Sequence, residues 1–556
     1  MTFFVDLCKA CKIIRKWDED MPKKCPACGG QIKFKQNDGI KRIVFLRGAR
    51  FVVTNYYQCL DPECVNHVKF TMAPLLSIPG RKYGLDVWAK VVRFHFKTKL
   101  SYNDVSNLML DEYNIKISPS TVRDICQYFE VAGAKEADKE TLEMVKRNGR
   151  LILSIDGTGD ADGGPALWIL MDRVTGRVLH ATVLEHSSVA NLGRLLLDVK
   201  AKYGVDISYV VSDRQDTIVK AVKHVLPGVP HQFCHYHFLH NLAKGIVKRD
   251  NALFTRIKGH VKGTNLVEHS HEPKQGERLS AKSSVHVLLK PLADELLNAV
   301  ATTGDGIKRF PGLEAYANLE HVAKELAPFL SWRVPNRIKI SLEAVYNRLM
   351  TFLEERRPFK DEIASLVEDF TRIREILGLH DRPVEEVRVK GGEWVKTLRS
   401  RLERLGMESD PANLKWNECP VSASVPKIWQ EWIRLFHTHE AGLFAVYGRD
   451  DAEFTNNPME WTFRDGRGDC RKRFGRGSTG AFYIAHGKNY CKVDQLDLSE
   501  SRVKCILVEA DGDEVIEGLA ELKNFNKKTR RQWRIREKDT GNMKLLEKHL
   551  LLCVKP

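Results

Sequence analysis

The sequence predicts an α/β core, interrupted by a large all-α insertion and preceded by two small N-terminal modules. Three observations carry that expectation. Between Arg150 and Cys234, short apolar runs alternate with helical stripes. From Ile246 to about Phe444 only helical periodicity remains. Ahead of both, six of the 13 cysteines crowd into the N-terminus.

Length and composition bound the reading. A chain of 556 residues is too long for one ordinary domain, so two to four are expected. With 43% hydrophobic and 29% charged residues, the chain can bury a sizeable core. A formal charge of +16 suits a polyanionic partner, and nucleic acid is the first candidate. The opening residues, Met1 to Cys8, lack the charged and apolar regions of a signal peptide. No apolar run approaches the roughly 20 residues that span a bilayer. An intracellular protein without membrane contact is therefore expected. Cysteines there serve as thiols or metal ligands rather than disulfides.

Residues 1–75 read as a zinc-ribbon module. Cys8 and Cys11 form one C-x2-C pair, and Cys25 and Cys28 form another within Cys-Pro-Ala-Cys-Gly-Gly. Such a knuckle aims two thiolates at one tetrahedral ion, and glycine lets the turn close. Cys59 and Cys64 make a third pair. Between the last two pairs, Ile43–Leu46 and Phe51–Thr54 flank Arg47-Gly48 and read as a β-hairpin. Structural zinc is expected, held by Cys25, Cys28, Cys59 and Cys64. The rival set is Cys8, Cys11, Cys25 and Cys28, or Cys8 and Cys11 as additional ligands, with His67 able to supplement the third pair, and spacing alone leaves the pairing open. Buried free thiols would not explain the spacings.

Residues 80–135 read as a helix-turn-helix module. Gly84 to Phe96 carries a stripe of Val87, Trp88, Val91, Val92 and Phe96. Ser101 opens a second short helix. Ser118 is placed to cap a third, with Pro119 at its first position. In such a module the last helix enters the major groove, so Ser120, Thr121 and Arg123 would face DNA. A generic three-helix bundle would show the same stripes.

The α/β core begins at residues 145–245. Leu151–Asp156 is an apolar strand ending in a carboxylate, followed by strands at Ala166–Asp172 and Val178–Leu184. A glycine-rich turn from Gly157 to Gly164 joins the first two. Val189–Tyr203 reads as a helix with Leu192, Leu195, Leu196 and Val199 on one face. Ile207–Asp213 is a strand that again ends in Asp, before a helix at Thr217–Val225 and a short strand at His231–Cys234. Three strands, a helix, a strand and a helix is the order of the ribonuclease-H-like fold. In that fold the first and fourth strands lie side by side, so carboxylates at their ends can meet.

Specific tripeptides sharpen this reading. Asp156-Gly-Thr, then Val211-Ser-Asp-Arg214, then Cys234-His-Tyr-His237 resemble the motifs of Mutator-like element transposases and their bacterial relatives. Thr455-Asn-Asn-Pro-Met-Glu460 is similar to the start of the helix that bears their third acid. Residues 150–245 and 455–490 carry this resemblance. It implies a DD(E) transposase that binds the ends of a mobile DNA element, cleaves strands and transfers them to target DNA. It also implies a homodimer or higher oligomer on DNA, with Asp156, Asp213 and Glu460 as catalytic residues holding two Mg2+ or Mn2+ ions. Asp156 would bridge both ions. Hard divalent cations prefer such oxygen ligands, and a pair of them suits phosphodiester chemistry.

Each acid also has a plain structural reading. Asp156 could cap a turn, Asp213 could cap the following helix, and Glu460 could sit on a helix surface. Asp160, Asp162 and Asp216 are nearby decoys. Cys234 and His237 are possible accessory residues, against the alternatives of core packing or half a zinc site; His235 and His240 flank them.

Residues 246–450 read as a mostly helical insertion. One helix is expected to open at Asp361 and close at Gly378, with Ile363, Leu366, Val367, Phe370, Ile373 and Leu377 as its stripe. Trp394, Leu398, Leu402 and Leu405 mark another, and 268–284 reads as a polar loop. Residues 451–500 return to the core with Glu460. Arg464, Arg467 and Arg471 would then share a basic face for phosphates, provided the helix survives Gly466 and Gly468. Residues 501–556 read as a basic C-terminal region centred on Lys527–Arg536. The alternatives to an active transposase are a domesticated DNA-binding relative and a ribonuclease-H-like nuclease or resolvase that does not join strands.

Overall fold

The computed structural model describes residues 13–14, 23–37, 39–71, 75–158, 166–262, 290–291, 294–298, 300–301, 309–331, 333, 336–414, 424–475 and 480–524. It is a mixed α/β structure, mostly helical. The strands are β1 (Ile13–Ile14), β2 (Ile32–Asn37), β3 (Lys41–Phe45), β4 (Gly48–Val52), β5 (Asn55–Cys59), β6 (Arg150–Thr158), β7 (Ala166–Asp172), β8 (Val178–Leu184), β9 (Asp206–Ser212) and β10 (His231–Phe233). The helices are α1 (Leu85–Val92), α2 (Tyr102–Tyr113), α3 (Pro119–Asn148), α4 (Val189–Tyr203), α5 (Asp216–Val225), α6 (His235–Lys262) and α7 (Pro311–Leu326). They continue with α8 (Asn336–Leu377), α9 (Val384–Arg404), α10 (Val425–Leu443), α11 (Asn457–Phe474), α12 (Gly480–Val493) and α13 (Glu500–Glu509). The chain divides into two compact units, residues 1–208 with 457–556, and residues 209–456.

In the first unit, β2 and β5 pair antiparallel from Ile32↔Cys59 to Asn37↔Asn55. β3 and β4 form the expected hairpin, closing at Phe45↔Gly48. Gly48 has a φ of 105°, a conformation that glycine alone adopts freely. The hairpin docks on the start of α1: the Gly84 N–H donates to the Val44 carbonyl at 2.8 Å. A Cβ on Gly84 would lie 2.5 Å from the Phe45 ring, so only glycine permits this approach.

The three expected helices form, but the third is 30 residues long rather than short. Ser118 caps it and Pro119 opens it as expected. No strong breaker follows until Gly149, whose φ of 70° ends the helix. Its first half packs on α1 and α2, and its second half reaches β6, β8 and α12. Gly133 makes the closest approach possible, since a Cβ there would stand 3.2 Å from both Leu496 and Val493. The C-terminal region differs from its expectation too. Val503, Ile506, Leu507 and Val515 are buried in one core with Trp88, Met109 and Phe129. The stripe on α13 binds it to α1 and α3, although its charged neighbours make it read as a tail. The basic run Lys527–Arg536 and the polar loop 268–284 lie outside the described residues.

The core strands form close to their expected bounds. β6, β7 and β8 are successive antiparallel neighbours, with Asp156↔Ile169 and Ile169↔Ala181 in register. β10 pairs parallel with β9 through Gln232↔Val211. The first unit's core strands thus run in the order β6-β7-β8, and β9 and β10 are neighbours in the second. α12 packs on β7 and β8, and α11 packs on β6.

The second unit is mainly helical, with α6, α7 and α8 mutually packed and α9 against α10. Asp361 does not open a helix. α8 runs unbroken from Asn336, with Pro358 inside it. A proline in a helix interior costs about 3 kcal/mol. Here buried Leu349, Phe352 and Leu353 before it, and Ile363, Leu366 and Phe370 after it, hold both flanks against neighbouring helices. The end at Gly378 is as expected, with its N–H donating to Arg374. α9 carries Trp394, Leu398 and Leu402 in the core, while Leu405 lies beyond its end and is exposed. Among the described residues, no helix is long and apolar enough to cross a membrane.

Two buried histidines, His235 and His439, and the half-buried His231 give this unit an acid sensitivity. Burial pulls His231 down to about 4. Burial does the same to His235, outweighing its bond to the Leu443 carbonyl, and to His439, outweighing its bond to the Leu435 carbonyl. Each is therefore neutral when folded and protonates near its ordinary value when unfolded. Such depressed groups contribute full stability above about pH 6.5 and lose it as pH falls towards 4, on the order of 3 kcal/mol each. The urea midpoint of this unit should fall steadily from pH 7 to pH 4.5. A midpoint independent of pH over that window would contradict the burial assignment.

Candidate active site and metal centre

The N-terminal cysteines come together as four. The Sγ atoms of Cys25, Cys28, Cys59 and Cys64 all lie within 4.8 Å of one another. Cys25 and Cys64 sulfurs are 3.6 Å apart, and Cys28 and Cys59 sulfurs 3.5 Å. A tetrahedral zinc with bonds of about 2.3 Å separates its sulfurs by about 3.8 Å, so this donor set fits the ion. The knuckle is built by the backbone: the Cys25 N–H donates to Gly30 and the Gly29 N–H to Cys25, both at 2.8 Å. A Cβ on Gly30 would sit 3.2 Å from the Cys28 sulfur, which is the steric reason for the second glycine. Burial alone would raise the Cys25 thiol, but hydrogen bonds from the Asn66 side chain and from the Cys28 and Ala27 N–H groups bring it down to about 6. The Asn66 N–H lowers Cys64, yet burial and the neighbouring sulfurs outweigh it and push that thiol up to about 12. His67 turns away from a ligand role, its Nδ1 lying 3.1 Å from the Cys59 carbonyl. Cys8 and Cys11 lie outside the described residues.

Asp156 and Glu460 belong to the first unit. Asp156 is half-buried on β6, and its Oδ1 accepts the Gly157 N–H at 2.7 Å. Glu460 is half-buried in the first turn of α11. Its neighbours Met459 and Phe463 are buried in one cluster with Leu167, Ile169 and Met171 of β7. Ile169 is the cross-strand partner of Asp156. Directly opposed residues of an antiparallel pair point to the same face, so Asp156 shares the sheet face that α11 covers. The glycine of the Asp-Gly-Thr motif has its own cause. Gly157 opposes Trp168, and a Cβ there would come within 2.7 Å of the indole. A side chain after Asp156 would have to displace a buried ring. Asp160 and Asp162 lie outside the described residues.

Asp213 belongs to the second unit, where it follows β9 directly and is half-buried. Burial lifts its carboxyl above the ordinary range, opposed by His237 and by the Gln215 N–H. It does not cap α5, whose N-cap is Gln215. Arg214 fixes this turn, donating from Nε to the Thr438 carbonyl at 2.9 Å and pairing with Asp216 at 2.5 Å. Cys234 continues the β9–β10 ladder, its N–H bonding Ser212 at 2.8 Å, and its buried sulfur accepts the Asn456 N–H at 3.2 Å. It therefore holds the segment that immediately precedes α11. Buried Asn456 carries no separate sequence signal, although it is the first Asn of the Thr-Asn-Asn motif.

Residues 177–266 match the family model described as transposase, Mutator family. The chain resembles Mutator-family transposases. The match spans Asp213 and the Cys234-to-His237 segment, and stops short of Asp156 and Glu460. No curated protein matches the chain significantly. As for the DNA-facing residues expected of such a transposase, α11 survives Gly466 and Gly468, and Arg464, Arg467 and Arg471 are all exposed on it. Trp461 is exposed beside them. Ser120 and Arg123 are exposed at the start of α3, and Thr121 is half-buried. Ser120 and Thr121 hydroxyls also bond the Ser118 cap at 2.9 Å, and Arg123 pairs with Asp124 at 3.3 Å.

Proposed function

We propose that this chain is a DD(E) transposase with a ribonuclease-H-like core, which binds the ends of a mobile DNA element, cleaves them and transfers the freed strand to target DNA. The observation that carries the reading is the Mutator-family match across Asp213 and the Cys234–His237 segment. Asp156 on β6 and Asp213 directly after β9 support it, as does the excess of basic residues. Asp156, Asp213 and Glu460 would hold two Mg2+ or Mn2+ ions, and their all-oxygen donor set fits such hard cations. Bound there, the ions would stabilise charge on the attacking and leaving oxygens of the phosphodiester. Arg464, Arg467 and Arg471 would neutralise phosphates beside Glu460, and Ser120, Thr121 and Arg123 would contact the element end. His237 would tune Asp213 electrostatically, and Cys234 would position the start of α11. The cysteine cluster would hold structural zinc.

The test is a cleavage and joining assay on DNA carrying the element's ends, with magnesium or manganese. Metal-dependent cutting and joining supports the reading. Binding without cutting would favour a domesticated relative, and cutting without joining a simple nuclease.

A further inference from the structure

Lys99 lies in the connection between the first two helices of the α1–α3 module. It has a φ of 62°, one of only two non-glycine residues with a positive φ among those described. A lysine in the left-handed region is disfavoured, and the position closing a helical turn normally falls to glycine or asparagine. The turn before it is closed by the Thr98 N–H to Arg93 and the Leu100 N–H to Phe94. What the lysine side chain does there is specific. Its Nζ lies 2.5 Å from Asp469 on α11, 2.7 Å from Asp494 just beyond α12, and 3.2 Å from the Tyr490 hydroxyl on α12. The Tyr490 hydroxyl in turn donates to Asp469. One helical turn further along α11, buried Arg473 stacks its guanidinium 5.4 Å from the Phe96 ring centre and 5.1 Å from that of Tyr490. Its Nε and Nη2 have no hydrogen-bond partner among the described residues.

Through Asp469 and Arg473 this network reaches α11, whose first turn carries Glu460. Asp469 and Arg473 are buried on its inward side, whereas Arg464, Arg467 and Arg471 are exposed. We infer that Lys99 is a positioning residue: it ties the connection between α1 and α2 to Asp469 and so sets the placement of Glu460 when the α1–α3 module engages DNA. This rests on the proposed catalytic role of Glu460. Lys99 itself touches neither substrate nor metal ligand in this arrangement. A long cation reaching three acceptors on α11, on α12 and just beyond α12 does what a surface lysine contacting DNA phosphate would not.

The experiment compares full-length wild type with Lys99→Met, Lys99→Gly, Lys99→Arg, Asp469→Asn and the Lys99→Met/Asp469→Asn double variant, using element-end DNA with magnesium. Single-turnover cleavage at saturating DNA, DNA affinity and thermal midpoint are read for each. Lys99→Met should slow cleavage by on the order of tenfold or more while affinity stays within about twofold. Lys99→Arg should restore most of the rate, and the double variant should be no slower than the slower single one. Lys99→Gly relieves the left-handed backbone, so a slow but stably folded variant separates positioning from stability. Unchanged cleavage in Lys99→Met, or a loss explained wholly by weaker binding or a collapsed fold in Lys99→Gly, would overturn the inference. Glu460→Gln is run alongside: full cleavage by that variant defeats the catalytic reading itself, whereas its loss with an unaffected Lys99→Met defeats only the role of Lys99.

Discussion

Asp213→Ala should lower end cleavage by at least about a thousandfold, a loss of about 4 kcal/mol of transition-state stabilisation, while DNA binding and folding persist. Asp213 carries little of the local structure. It is not the cap of α5, and the hydrogen bond that its carboxylate accepts from the Gln215 N–H is long at 3.3 Å. Arg214, not Asp213, fastens the turn to α10. Removing the carboxylate therefore leaves the local structure supported. A half-buried acid whose burial disfavours its charged form is a costly choice unless a cation repays it. Asp156→Ala and Glu460→Ala should behave alike. Asp156 accepts the adjacent Gly157 N–H, and Glu460 is flanked by the residues that anchor its helix, Met459 and Phe463. Because residues serving one reaction act as a unit, pairs of these variants should be scarcely worse than single ones. Full cleavage by any one of them would remove that acid from the assignment. A melting temperature reduced together with activity would instead point to the plain structural reading.

Much of this arrangement is legible in sequence where one rule dominates locally. The core strands are short apolar runs bounded by turns, so β7, β8 and α4 fall at the residues that periodicity indicates. The cysteine spacing likewise anticipates a metal cluster but leaves its membership open, and the fold is what brings Cys59 and Cys64 to Cys25 and Cys28. What escapes sequence reading depends on contacts between distant segments. The start of α8 is hidden because Pro358 reads as a breaker, and only packing on both sides of it makes a continuous helix. The length of α3 is hidden because its second half faces the sheet and α12 rather than its own module. The glycine after Asp156 looks like turn chemistry, whereas Trp168 across the strand pair is its cause. Lys99 carries no sequence signal at all, since neither its backbone conformation nor Asp469 can be read from its neighbours.

Removing zinc should unfold the β2–β5 ribbon while the rest of the first unit stays folded. The ribbon has little else to hold it. Every side chain of β2 after Ile32 is exposed, and the buried groups it shares with β5 are chiefly Tyr57 and Cys59. An isolated two-stranded sheet is marginal in water, and small modules of this kind draw on the order of 10 kcal/mol from their metal. The β3–β4 hairpin differs, because Val44 and Leu46 pack against the core of α1–α3 and the Leu46 N–H bonds Asp86 at 2.9 Å. Chelation should therefore open protease sites within residues 25–40 and 55–71 while the core remains resistant. Cys59→Ser should reproduce this without chelator, since its sulfur is fully buried at the centre of the cluster. Rebinding should release protons, because Cys59 and Cys64 have thiols raised by their surroundings and must ionise to bind. If metal removal leaves the ribbon as resistant as before, these four thiols are packing groups and not a zinc site. If instead the whole first unit melts with the ribbon, the β3–β4 hairpin couples the metal to the α1–α3 core more tightly than its few contacts imply.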